Sequence, residues 1–123
     1  MILAWFKAFV VTCLIEVPFV AWMLRRDDDD LPRRIGLLFF ANLASHPAVW
    51  FIFPYLGLQQ DLALGLSEGW AVLSEALFIW LAFRGISPIR AFGVSSLANG
   101  VSFAIGLLIY QFAARLLSLP KRQ

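Results

Sequence analysis

Glu16 and Glu75 are the residues with the strongest claim to chemistry. Each is a carboxylate inside a long apolar run, and each stands nine residues before an arginine, Arg25 and Arg84. Acidic groups are expensive to keep in hydrocarbon, and where they occur they are usually tied to a function. Two amides repeat in the same way. Ala41-Asn42-Leu43-Ala44-Ser45 and Ala98-Asn99-Gly100-Val101-Ser102 share the pattern Ala-Asn-x-x-Ser, again deep in apolar sequence. Two carboxyl groups lined by amides and hydroxyls suit reversible proton uptake, or a cation traded for protons. His46, in Ser45-His46-Pro47, adds an imidazole, which can relay a proton or join carboxylates in holding a transition metal. No His-x-x-x-His or Cys-x-x-Cys spacing accompanies it, so a metal ion is the lesser expectation and no other cofactor is implied.

These residues need a scaffold, and the composition names its class. The chain of 123 residues is 61% hydrophobic, 15% aromatic and only 15% charged, with mean hydropathy +0.80. A soluble domain is nearer half apolar. The sequence therefore reads as a single integral membrane domain over residues 1–123. A net charge of +2 is too small to point to nucleic acid. The one cysteine, Cys13, has no partner for an intrachain disulfide. The N-terminal run makes a poor signal peptide, because Lys7 falls late, Glu16 interrupts it and no small-x-small site precedes Arg25-Arg26. It is expected to remain as a span.

A bilayer core takes about 20 apolar residues per helix. Four segments qualify, at about 2–24, 35–54, 66–83 and 88–116. Short links between them make sequential neighbours antiparallel. Pro88 suits the first turn of the fourth helix, and Ser67 is placed to cap the third. The expected fold is an all-α four-transmembrane-helix bundle. The echoes divide it into two hairpins, about 1–60 and 61–123, related as a parallel, pseudo-twofold internal repeat.

Arginines give a ruler for depth. At 1.5 Å per residue, Glu16, Asn42, Glu75 and Asn99 all lie roughly 12–14 Å from the arginine-bearing end, near the middle of a core about 30 Å thick. Positions three, four and seven apart share a helix face. Thr12 with Glu16, Asn42 with Ser45 and His46, Glu68 with Glu75, and Ser95 with Asn99 and Ser102 form four polar stripes. Lipid cannot satisfy such groups, so the stripes should converge on the bundle axis. Away from the arginines lie Thr12, Ser45, His46, Glu68 and Ser102. Towards the arginines the helices are almost wholly apolar. The expectation is a polar funnel with Glu68 and Thr12 at its entrance, a midplane site below, and an apolar plug beneath. Arg25, Arg26, Arg33, Arg34, Arg84 and Arg90 outnumber Lys7, Arg115, Lys121 and Arg122 at the other end, which puts both termini outside by the positive-inside rule. The run Asp27-Asp28-Asp29-Asp30 reads as a solvated loop.

Chain length, four spans and a glutamate in the first span resemble the small multidrug resistance transporters. That family carries one membrane-embedded carboxylate, whereas this chain adds Glu75 and His46, and the Ala-Asn-x-x-Ser echo is foreign to it. Glu68 and Glu75 resemble a glutamate pair of the small bacterial diacylglycerol kinases, but lack the intervening Asn-Ser-Ala-Ile and a following aspartate. The chain is assigned to neither, and it has no Walker A, Gly-x-Ser-x-Gly or His-Glu-x-x-His pattern. The leading expectation is a small transporter or channel subunit of the plasma (inner) membrane. It would bind a cation, a proton or a small cationic solute between Glu16 and Glu75, lined by Asn42, Asn99, Ser45 and Ser102, with His46 as proton partner. Alternatives are an assembly subunit of a larger membrane complex and, last, an intramembrane enzyme acting on a lipid or quinone. Gly93, Gly100 and Gly106 suit close helix contact, with the fourth helix either central or facing a second subunit. A conduction path through so small a bundle calls for two copies, so a homodimer or another membrane-protein partner is expected.

Overall fold

The computed structural model describes residues 1–27 and 30–118. Four helices follow one another: α1 (Ile2–Met23), α2 (Leu31–Phe51), α3 (Gln60–Ala82) and α4 (Pro88–Ser118), with a turn of 3-10 helix at Phe53–Tyr55. No strand occurs among the described residues. All four helices are long and apolar enough to cross a membrane. They form a closed ring: α1 touches α2, α2 touches α3, α3 touches α4, and α4 returns to α1. The outside of the ring exposes large apolar side chains such as Leu14, Phe40, Leu73, Leu81 and Ile89.

Local chemistry sets the helix ends. Asp30 caps α2, its side chain accepting from the Arg33 N–H at 3.1 Å, and Pro32 occupies the first turn. Ser87 does the same for α4, accepting from the Arg90 N–H at 3.3 Å, with Pro88 as the first helical residue. Each cap satisfies one of the N–H groups that a helix start leaves without a partner. The α2 cap brings that helix's start forward of the apolar run, through Arg33 and Arg34. α3 likewise begins earlier than its apolar run, because Gln60 and Asp61 form its first turn. Ser67 therefore does not cap it. Its hydroxyl lies within the helix and donates to the Leu64 carbonyl at 2.8 Å. Gly57 and Gly85, in the links on either side of α3, take φ of +68° and +86°, a region glycine enters without steric penalty.

Arginines tie the helix ends together. Arg34, only 7% exposed, donates to the Ala21 carbonyl in the last turn of α1 at 2.6 Å. Arg33 donates to the Ala82 carbonyl at the end of α3 at 3.2 Å. Both carbonyls belong to helix ends, where intrahelical donors run out. Arg90 holds Asp27 with two hydrogen bonds of 2.7 and 2.8 Å. Asp28 and Asp29 lie outside the described residues, so the acidic run is described only at its two ends. Lys121, Arg122 and the C-terminus lie outside them too.

The ring is apolar in one half and polar in the other. Val17, Val20, Ala21 and Leu24 of the α1 end pack with Leu38, Ile79, Phe83, Ile86, Ala91, Val94 and Ala98 into one buried cluster. All of these lie level with or closer to the arginines than the two glutamates. Of the buried polar side chains, Arg34 and Ser95 lie in the arginine half, each bonded to a backbone carbonyl, and Glu16, Asn42, Ser45, Ser67, Glu75 and Asn99 sit in the middle of the ring or beyond it.

Candidate functional site

Every helix sends a buried polar group to the middle of the ring. Glu16 on α1 is 1% exposed, Asn42 and Ser45 on α2 are 4% and 2%, Glu75 on α3 is 5%, and Asn99 on α4 is 7%. Period 3.6 puts Asn42 and Ser45 on one face of α2, and Ser95, Asn99 and Ser102 on one face of α4.

The bonds within the site come in matched pairs. Ser45 donates to Glu75 Oε1 at 2.7 Å, and Ser102 donates to Glu16 Oε1. Each serine also lies within hydrogen-bond distance of the carbonyl three residues before it, Ser45 with Asn42 O at 3.2 Å and Ser102 with Asn99 O at 3.3 Å. Asn42 Nδ2 donates to Leu38 O at 3.2 Å, and Asn99 Nδ2 donates to Ser95 O at 3.0 Å. α2 thus serves the carboxyl of α3, and α4 serves the carboxyl of α1. One bond breaks the match. Asn99 Nδ2 also donates to Glu75 Oε2 at 2.7 Å, whereas Asn42 leaves its Oδ1, and Glu16 its Oε2, buried with no hydrogen-bond partner.

A serine hydroxyl has one proton but two acceptors in reach here. When the carboxyl is ionised, Ser45 or Ser102 donates to it. When the carboxyl is protonated, the acid O–H donates to the serine oxygen, and the serine turns its own proton to the asparagine carbonyl. Both protonation states are therefore hydrogen-bonded without moving the backbone. Glu16 lies close enough to Glu75 and Glu68 to feel their charges, and Asn42 is beside it. Like charges repel strongly at low dielectric, so a proton or a cation shared among these oxygens lowers the energy of the set.

A cavity of about 300 Å³ opens above Glu75 on the side away from the arginines. Thr12, Ser45, His46, Glu68, Glu75, Asn99 and Ser102 line it, whereas Glu16 and Asn42 are buried without lining it. Val49, Trp50, Phe103 and Gly106 line it too. Sequence reasoning left out Val49 and Trp50, although Val49 is seven residues after Asn42 and shares its face. A second cavity of about 600 Å³ lies between α2, the 3-10 turn and α3. It has Val49, Trp50 and Glu68 in common with the first, which makes Glu68 the acid at their junction.

His46 faces the cavity but keeps aromatic company. Its ring meets Phe9 edge-on at 5.5 Å, stacks near Trp50 at 6.4 Å and tilts against Trp5 at 6.4 Å. Its Nδ1 is buried and unbonded, so neither carboxylate is joined to it directly through that nitrogen. Among the described residues no three His, Cys, Asp or Glu side chains come together as a metal-binding group.

No family model matches this chain, and no curated protein or solved structure is detectably similar to it.

Proposed function

We propose that the protein is a small multi-pass membrane transporter or channel subunit that binds a proton, a cation or a small cationic solute between Glu16 and Glu75. The observation that carries this reading is the reciprocal serine–glutamate exchange. Ser102 of the second hairpin serves Glu16 of the first, and Ser45 of the first serves Glu75 of the second. Simple interhelical glue does not call for a carboxyl, since a hydrogen bond between membrane helices contributes only about 0.6–2 kcal/mol. A carboxyl earns its place where charge must come and go.

The same bonds support an internal pseudo-twofold repeat. The caps agree with it, since Asp30 with Arg33 and Ser87 with Arg90 stand at equivalent places in α2 and α4. On this reading ions enter from the end away from the arginines, pass Glu68 and Thr12, and stop above the apolar cluster. The arginine end faces the cytoplasm of an inner membrane, as the balance of basic residues favours. A second copy of the chain docks on α4 through Gly93 and Gly100, while Gly106 of the same helix lines the polar cavity.

The test is flux in proteoliposomes loaded with a pH-sensitive dye, with sodium, potassium or tetramethylammonium gradients imposed in turn. Wild-type protein should couple one of these gradients to proton movement. Glu16→Gln and Glu75→Gln should each abolish the coupling while the protein remains folded. Unchanged flux in both variants would overturn the mechanism and favour the assembly-subunit reading.

A further inference from the structure

A groove of about 830 Å³ runs along the outside of the ring between α1 and α2, on a different face from the polar cavity. Its walls are apolar side chains such as Val10, Leu14, Val17, Ile35 and Phe39. From Phe9 to Trp22 the α1 wall is about 20 Å long, more than the roughly 15 Å of hydrocarbon in one leaflet. Gly36 lies in the opposite wall, and a Cβ there would meet nothing within 4 Å. The groove stays open partly because that position carries no side chain.

Two guanidinium groups stand at its arginine end. Arg34 is more than nine-tenths buried and lines the groove. Among the described residues its guanidinium bonds only a backbone carbonyl, its Nε has no partner, and no carboxylate pairs with it. A buried charge so placed still needs a counter-ion. Arg25 is held at the lip, its guanidinium 4.6 Å from the Trp22 ring centre and bonded to the Trp22 carbonyl at 2.9 Å. That leaves most of its five N–H donors free. Asp27, two residues on, is taken by Arg90.

We propose that this groove binds one anionic phospholipid from the leaflet at the arginine end. Its phosphate bridges Arg25 and Arg34, and an acyl chain lies along the α1–α2 walls. Guanidinium groups pair well with phosphate oxygens, and the apolar length above them matches a lipid tail rather than a soluble anion. A zwitterionic headgroup brings its own cation towards the two arginines and is disfavoured. The site is independent of the two glutamates.

The experiment exposes purified full-length protein to equimolar phosphatidylglycerol and phosphatidylcholine of identical acyl chains, and counts retained lipid by native mass spectrometry. Wild-type protein should retain phosphatidylglycerol roughly 25-fold over phosphatidylcholine, at about fivefold for each arginine beside an anionic headgroup. Arg25→Gln should cut that preference about fivefold. Gly36→Phe, which fills the groove and leaves both charges, should abolish retention without lowering the thermal midpoint. Arg34 is left intact because it also ties α2 to α1. Equal retention of the two lipids overturns the proposal, and so does phosphatidylglycerol retention that survives Gly36→Phe. Should Gly36→Phe fail to fold, the Arg25→Gln result decides on its own.

Discussion

The sharpest stability prediction concerns Glu75, whose two hydrogen bonds allow the roles of shape and charge to be separated. Glu75 accepts from Ser45 and Asn99, both at 2.7 Å. Glutamine keeps the side-chain shape and can satisfy both partners by turning its amide. Its carbonyl accepts from Asn99 Nδ2, and its Nε2 donates to Ser45 Oγ. Ser45 then gives its proton to Asn42 O, already 3.2 Å away. Glu75→Gln should therefore cost less than about 1 kcal/mol. Glu75→Ala removes both bonds, each worth about 0.6–1.7 kcal/mol inside a membrane protein, for a total of roughly 1–3 kcal/mol, and adds the void of a deleted buried side chain. The assay is reversible unfolding of wild type and both variants in mixed micelles, followed by helical circular dichroism. The expected order is wild type close to Glu75→Gln, with Glu75→Ala well below. If glutamine destabilises as much as alanine, the exchange of donors is wrong and the carboxyl itself holds the bundle together.

Two further predictions address the entrance and the helix ends. Glu68, at the junction of the two cavities, should affect entry more than turnover, so Glu68→Gln should raise the concentration of cation giving half-maximal flux severalfold and leave the maximal rate nearly unchanged. A fall in maximal rate alone would remove Glu68 from the entry path. Asp30→Ala deletes the α2 cap and should cost about 0.5–2 kcal/mol in the same unfolding assay, with Asp30→Ser restoring most of the loss. No loss in the alanine variant would mean that Pro32 and the Arg33 and Arg34 contacts start the helix without the cap.

Much of this arrangement was legible in the sequence because depth in a helical bundle is linear in residue number. Counting from the arginines placed Glu16, Asn42, Glu75 and Asn99 at one level, and all four residues are buried. The ends of α2 and α3 were not legible from hydropathy. An apolar window sees Ile35 and Leu66 as beginnings, but the helices begin where Asp30 caps α2 and where Gln60 and Asp61 continue α3 outward. The role of Arg33 and Arg34 was hidden for a different reason. Their acceptors are carbonyls of Ala82 and Ala21, and any residue type could supply those. His46 was legible as part of the polar stripe but not in its neighbours. Trp5 and Phe9 reach it from α1, a contact set by how α1 and α2 face each other rather than by anything near His46 in the chain.

The one bond that breaks the match between the two halves bears on the order of events. Glu75 has both oxygens occupied, by Ser45 and by Asn99. Glu16 has Ser102 on one oxygen only, and its Oε2 and the neighbouring Asn42 Oδ1 are both acceptors without a donor. A buried acceptor without a donor is costly. A proton on Glu16 Oε2 meets that need, whereas both oxygens of Glu75 already have donors, and a proton there must turn Ser45 away to Asn42 O. On the proposed reading Glu16 is therefore loaded first. On the same reading the two acids work as one exchange site, with the serines re-aiming a single proton at each step.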